Sequence, residues 1–195
     1  MTATATIRPS ITSRVRPLLP WITTVLAFPP AGYVGHLVAG PVDGIGPALL
    51  GGFITGALLG SAQFLALRSR GVSPTWILST AVGLGVGLAA GAALVSYGTS
   101  LGNLMAMGAV SGAVLGLAQV AGSGRLRRRG ISWVAASCAL FAIGWAVTTA
   151  AGIDVEEQYT LFGLSGALVV TVLQSVFANR FLPVVRIARN DSNHG

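Results

Sequence analysis

ALLGGFITGALLGSAQFLALRSRGVSPTW, residues 48–76, decides the fold. Residues 48–67 carry no charge, Gly52, Gly56 and Gly60 recur at every fourth position, and Gln63 precedes Arg68 and then Trp76. At a rise of 1.5 Å per residue, about twenty apolar residues cover the ~30 Å hydrocarbon core of a bilayer. A backbone in lipid must satisfy its own hydrogen bonds, so such a run is a helix. A barrel strand would alternate apolar and polar residues, and this stretch does not.

The whole chain has the same character. Of 195 residues, 53% are hydrophobic and 9% charged, with a mean hydropathy of +0.76. Water-soluble domains carry roughly 25% charged residues, and disordered segments are polar and charge-rich, so both classes are excluded. The sequence predicts an all-α integral membrane protein of six transmembrane helices: Leu18–Ala39, Ala48–Leu67, Thr75–Tyr97, Asn103–Ala121, Ile131–Ala151 and Thr160–Leu182. Residues 1–17 form a cytoplasmic N-terminal segment, 18–182 the membrane domain and 183–195 a cytoplasmic tail. The turn formers Gly40-Pro41-Val42-Asp43-Gly44, Arg70-Gly71-Val72-Ser73-Pro74 and Gly122-Ser123-Gly124 punctuate the spans. Leu18–Ala39 exceeds the roughly 7–15 residues of a signal-peptide core and is expected to be a retained span, with Pro29-Pro30 kinking or breaking it.

The twelve basic residues are all arginines, against five acids. The six-span reading puts every arginine on one side: Arg8, Arg14 and Arg16 before span one, Arg68 and Arg70 after span two, Arg125, Arg127, Arg128 and Arg129 between spans four and five, and Arg180, Arg186 and Arg189 at the end of span six. Asp43, Asp154, Glu156 and Glu157 fall on the other side. Positive residues mark the cytoplasmic face, so both termini are expected there. The lysine-free, Gly/Ala-rich composition matches GC-rich coding, and the expected location is a bacterial plasma membrane. Short arginine groups between apolar runs point to membrane lipids as partners, with no nucleic acid.

Gly52, Gly56, Gly60, Gln63, Arg68 and Trp76 are echoed by Gly108, Gly112, Gly116, Gln119, Arg125 and Trp133, and in part by Gly163, Ala167, Thr171, Gln174 and Arg180. Successive glutamines lie 56 and 55 residues apart. Span one opens with Arg14 and Trp21, and alignment on the tryptophans brings Gly32, Gly87 and Gly144 into register, with His36 at the position of Gly91 and Thr148, where it breaks the repeat. The spans therefore read as three permuted two-helix repeats, parallel to one another and related by pseudo-threefold symmetry about the membrane normal. This pattern resembles small, uncharacterised multispan bacterial membrane proteins carrying repeated Gly-x3-Gly-x2-Gln … Arg … Trp units, from about Arg14 to Arg180; the resemblance implies no activity.

The glycine stripes, including Gly83/Gly87/Gly91, are expected to pack helices, since small residues let backbones approach where lipid removes the hydrophobic incentive. Gly83-Leu84-Gly85-Val86-Gly87 is no dinucleotide loop, because it lies within a span and no acid follows. Gln63, Gln119 and Gln174 must face the bundle, because an uncapped amide in lipid is costly. They would serve as interhelical hydrogen bonds or as a polar constriction. His36 is a candidate binding residue, being ionisable inside a span. Arg125, Arg127, Arg128 and Arg129 would orient the hairpin or hold lipid headgroups. Trp21, Trp76 and Trp133 are expected as interfacial anchors.

No catalytic residue set, cofactor or metal site is expected, and Cys138 alone can form no intramolecular disulfide. The reading leans away from an enzyme. It favours a scaffold, accessory subunit or assembly partner that pairs with another protein or a second copy. A facilitator for a small neutral or lipid-like solute with a glutamine-lined constriction comes next, and an intramembrane enzyme using His36 third.

Overall fold

The structure is a computed structural model describing residues 19–153, 169–170 and 172–174, with side chains from Thr24 onward. Among these residues five long helices form: α1 Leu19–Ala39, α2 Ile45–Leu67, α3 Thr75–Leu94, α4 Leu101–Gly122 and α5 Gly130–Ala150. Short 3-10 turns, Arg68–Arg70 and Arg127–Arg129, precede α3 and α5. Residues 169–170 and 172–174 are helical, and there is no strand among the described residues. The remainder of the expected sixth span, the loop of Asp154, Glu156 and Glu157, the Trp21 side chain and the arginines at positions 8, 14, 16, 180, 186 and 189 lie outside the described residues.

Among the described residues, four stretches are long and apolar enough to cross a membrane: Ile45–Arg70, Thr75–Leu94, Leu101–Gly122 and Arg127–Ala150. Leu37, Leu78, Leu94 and Ile131 are more than 60% exposed, so the outer surface is as apolar as the interior. A helix hydrophobic all round belongs in lipid.

Each helix packs antiparallel against its chain neighbour through glycine. A Cβ on Gly52 would lie 2.9 Å from Leu84 O, on Gly56 2.7 Å from Thr80 O, and on Gly60 3.1 Å from Ile77 Cα. The α4–α5 pair repeats this contact for contact, with Gly108 against Phe141 O, Gly112 against Ser137 O and Gly116 against Val134 Cα. Between α3 and α4, Gly83, Gly87 and Gly91 rest on Leu115, Ser111 and Met107. The stripes thus act as contact seams at each interface, where a single methyl would strike backbone.

Several boundaries differ from the expected spans. The third ends at Leu94, because Ser96 and Tyr97 take φ of 50° and 59° and Tyr97 N–H donates to Ala92 O at 2.9 Å. Ala92, Leu104 and Met107 pack together, with Tyr97 against them, holding this left-handed turn. The fourth starts at Leu101, since Ser100 Oγ accepts from Asn103 N–H at 3.3 Å as an N-cap. Pro47 falls in the first turn of α2, where a missing N–H costs little, so the helix begins at Ile45. Helix α1 is not broken at Pro29-Pro30; in lipid a break would strand more backbone groups than the two prolines do.

The register of α1 also shifts by one from the tryptophan alignment. Thr55 Oγ1 donates to Ala31 O at 3.2 Å, and a Cβ on Gly35 would lie 2.8 Å from Gly51 O. Gly35 rather than His36 therefore makes the approach that Gly91 makes on Met107, because only a glycine fits between two backbones there.

Candidate functional site

Gln63, Trp76, Thr80, Gln119 and Trp133 converge near the helix ends next to the arginine loops. Gln63 on α2 and Gln119 on α4 are buried, Gln63 one residue before the last turn of its helix and Gln119 at the start of it. Trp76 and Trp133 open α3 and α5, where the chain has just turned back after Arg68–Arg70 and Arg127–Arg129. The returning helix therefore sets each indole opposite the glutamine of the preceding helix. Trp76 Nε1 donates to Gln63 Oε1 at 3.0 Å, and Trp133 Nε1 donates to Gln119 Oε1 at 2.9 Å. An indole N–H only donates, so the amide oxygen must face it and the amide nitrogen must point elsewhere.

On Gln119 that nitrogen reaches α3, donating to Thr80 Oγ1 at 3.2 Å; Thr80 Oγ1 in turn donates to Trp76 O at 2.8 Å. One continuous network thus runs Gln63–Trp76–Thr80–Gln119–Trp133 and ties four helices together. The two indoles meet edge to face, with ring centroids 6.1 Å apart. Leu67, Val72 and Leu126 pack around them as an apolar plug.

This corrects the expectation of an aromatic belt, since Trp76 and Trp133 are each only 1% exposed. An interfacial Trp keeps one edge in water; here each indole N–H is satisfied by a buried amide instead. Sequence reasoning missed the Gln–Trp pairing. The signal was present in the nearly constant spacing, 13 residues in one pair and 14 in the other. Thr80 and Ser137, equivalent positions on α3 and α5 and both buried, were missed as well.

Gln174 is also buried, and its Oε1 has no hydrogen-bond partner among the described residues. Thr24 on α1 is fully buried, with Oγ1 in the same condition. His36 lies near the far end of α1, half-buried, with its carbonyl accepting from Gly40 N–H at 2.8 Å. The structure does not bring His36 together with the glutamines. Among the described residues no group of three His, Cys, Asp or Glu side chains converges to hold a metal.

The arginine loops form the adjacent surface. Arg68, Arg125, Arg127, Arg128 and Arg129 are exposed, whereas Arg70 is buried. Gly71, at φ +72°, supports the Arg125 guanidinium: a Cβ there would lie 2.9 Å from Nη2. Thr75 Oγ1 donates to Gly122 O at 2.9 Å, joining the two loops a second time. Asp43 stands at the opposite end, between α1 and α2.

Chemically, the network is built from amide, indole and hydroxyl groups that do not titrate near neutral pH. It joins helices α2, α3, α4 and α5 at this end. No protein family, curated protein or solved structure matches the chain.

Proposed function

We propose that this chain is a six-span protein of a bacterial plasma membrane, with both termini and the arginine loops cytoplasmic, acting as a non-enzymatic scaffold or assembly partner. Its six helices form three permuted two-helix units about a pseudo-threefold axis. The observation that carries the scaffold reading is the Gln63–Trp76–Thr80–Gln119–Trp133 network, in which the buried polar groups of four helices bond one another. Polar side chains used this way hold helices together rather than process a substrate. The repeat is supported by the matching glycine contacts of α2–α3 and α4–α5, by the two Trp–Gln bonds, and by the burial of Gln174 55 residues after Gln119.

A scaffold is expected to be recovered with a second copy or a partner after gentle detergent extraction and cross-linking; a lone monomer under those conditions refutes the role. The topology is tested with a tag after Ala151, expected to be reached only from outside the cell. Labelling from the interior refutes the orientation and the pairing of helices built on it.

The second reading, a facilitator for a small neutral solute, draws on Gln174 Oε1 and Thr24 Oγ1, two buried acceptors with no partner among the described residues. Such orphans are costly unless something with a donor visits them. Liposome flux of small polar solutes is expected to fall in Gln174→Leu, which removes one of these acceptors. Flux unchanged in that variant and in the triple variant with Gln63→Leu and Gln119→Leu refutes it.

A further inference from the structure

We infer that the two arginine loops form a single preorganised platform that binds the headgroups of anionic phospholipids. The sequence holds no acid between Asp43 and Asp154, and Asp43 lies at the other end of the bundle. Among the described residues, the exposed guanidinium groups of Arg68, Arg125, Arg127 and Arg128 therefore share one positive surface. The sequence alone offers two separate clusters; the fold merges them. Arg125 lies on Gly71 of the other loop, and Thr75 is hydrogen-bonded to Gly122 O.

Both loops are pinned from beneath. Val72 and Leu126 insert beside Trp76 and Trp133 in the apolar plug, so the loop backbones are held before any ligand arrives. Little ordering is then left for binding to supply.

The apolar flank identifies the ligand. Leu65, Leu78, Leu117 and Ile131, within about two turns of the arginines, are all exposed, Ile131 to 91%. Guanidinium groups directly above exposed aliphatic side chains match a phosphate joined to acyl chains. A free phosphate would use only the cationic half of this surface, and a nucleic acid would bring polar backbone against the leucines. The inference rests on the membrane location alone and not on the scaffold role.

The test uses the purified full chain in nanodiscs of phosphatidylcholine containing a minor fraction of phosphatidylglycerol. Lipid retained through detergent exchange is counted by native mass spectrometry. The wild type is expected to retain phosphatidylglycerol at least tenfold over its bulk fraction. Each exposed arginine removed should lower that enrichment about fivefold, so Arg127→Gln reduces a tenfold enrichment to about twofold and Arg127→Gln/Arg128→Gln abolishes it. The double variant changes only exposed loop residues, and circular dichroism in pure phosphatidylcholine checks that it folds. Equal retention of both lipids by the wild type, or undiminished enrichment in the folded double variant, overturns the proposal. Displacement of the lipid by inorganic phosphate, or by a short oligonucleotide, assigns the surface to those ligands and equally overturns it.

Discussion

Replacing Gln119 by Leu tests whether the buried network holds the bundle. The substitution nearly conserves volume, so the cost isolates the polar atoms. Two interhelical bonds are lost, from Trp133 Nε1 at 2.9 Å and to Thr80 Oγ1 at 3.2 Å. In a membrane each such bond contributes about 0.6 kcal/mol and at most about 1.7. The Trp133 N–H, on a side chain 1% exposed, is left without an acceptor, which adds about 1–3 kcal/mol. The expected destabilisation is therefore about 2–4 kcal/mol. Trp133→Phe removes the donor and should cost about 1–3 kcal/mol through lost packing. In the Gln119→Leu background the same change also abolishes the orphan, so the pair should couple by about 1–2 kcal/mol. Reversible unfolding in mixed micelles, followed by far-UV circular dichroism across the four-protein cycle, measures this. Additivity within about 0.3 kcal/mol would refute the claim that Gln119 and Trp133 act as a bonded pair.

Other expectations follow from the same contacts. Gln63→Leu should cost about 1–3 kcal/mol, less than Gln119→Leu in the same unfolding assay, because Gln63 accepts one bond where Gln119 makes two. Gly112→Val drives a side chain into the Ser137 carbonyl and should destabilise by about 1–3 kcal/mol or more, whereas Gly102→Ala, with open space around it, should be neutral or stabilise by up to about 1 kcal/mol; thermal unfolding in detergent separates them. In a Cys138→Ser background, single cysteines replacing Asp43 and Gly124 should react with a membrane-impermeant thiol reagent from opposite sides of an oriented vesicle, since they stand at opposite ends of the bundle.

Much of this was legible without coordinates. Charge-free runs of bilayer length identify helices in lipid, because backbone hydrogen bonding in hydrocarbon leaves no other choice. The glycine seams were legible as packing surfaces, since every fourth position lies on one helix face. Helix ends were less so: Tyr97 looks like span, yet a left-handed turn held by its packing with Ala92, Leu104 and Met107 stops α3 at Leu94. The displacement of contact from His36 to Gly35 was not readable either, because an alignment on Trp21 cannot sense which backbone comes within touching distance of Gly51.

Composition and the order of Gly, Gln, Arg and Trp determined the solvent of this protein, its helical class and the residues that must face inward, because each follows from one side chain meeting one environment. Only tertiary structure decided what those residues do there. Trp76 and Trp133 would anchor at a water interface if they stood alone, but α3 and α5 return against α2 and α4 and bury both indoles on glutamine. Two arginine clusters, opening at Arg68 and at Arg125, 57 residues apart, likewise become one surface only because Arg125 meets Gly71. A hydrogen bond or a shared field depends on distances of a few ångströms between helices, and that separation is set by the packing of all of them together.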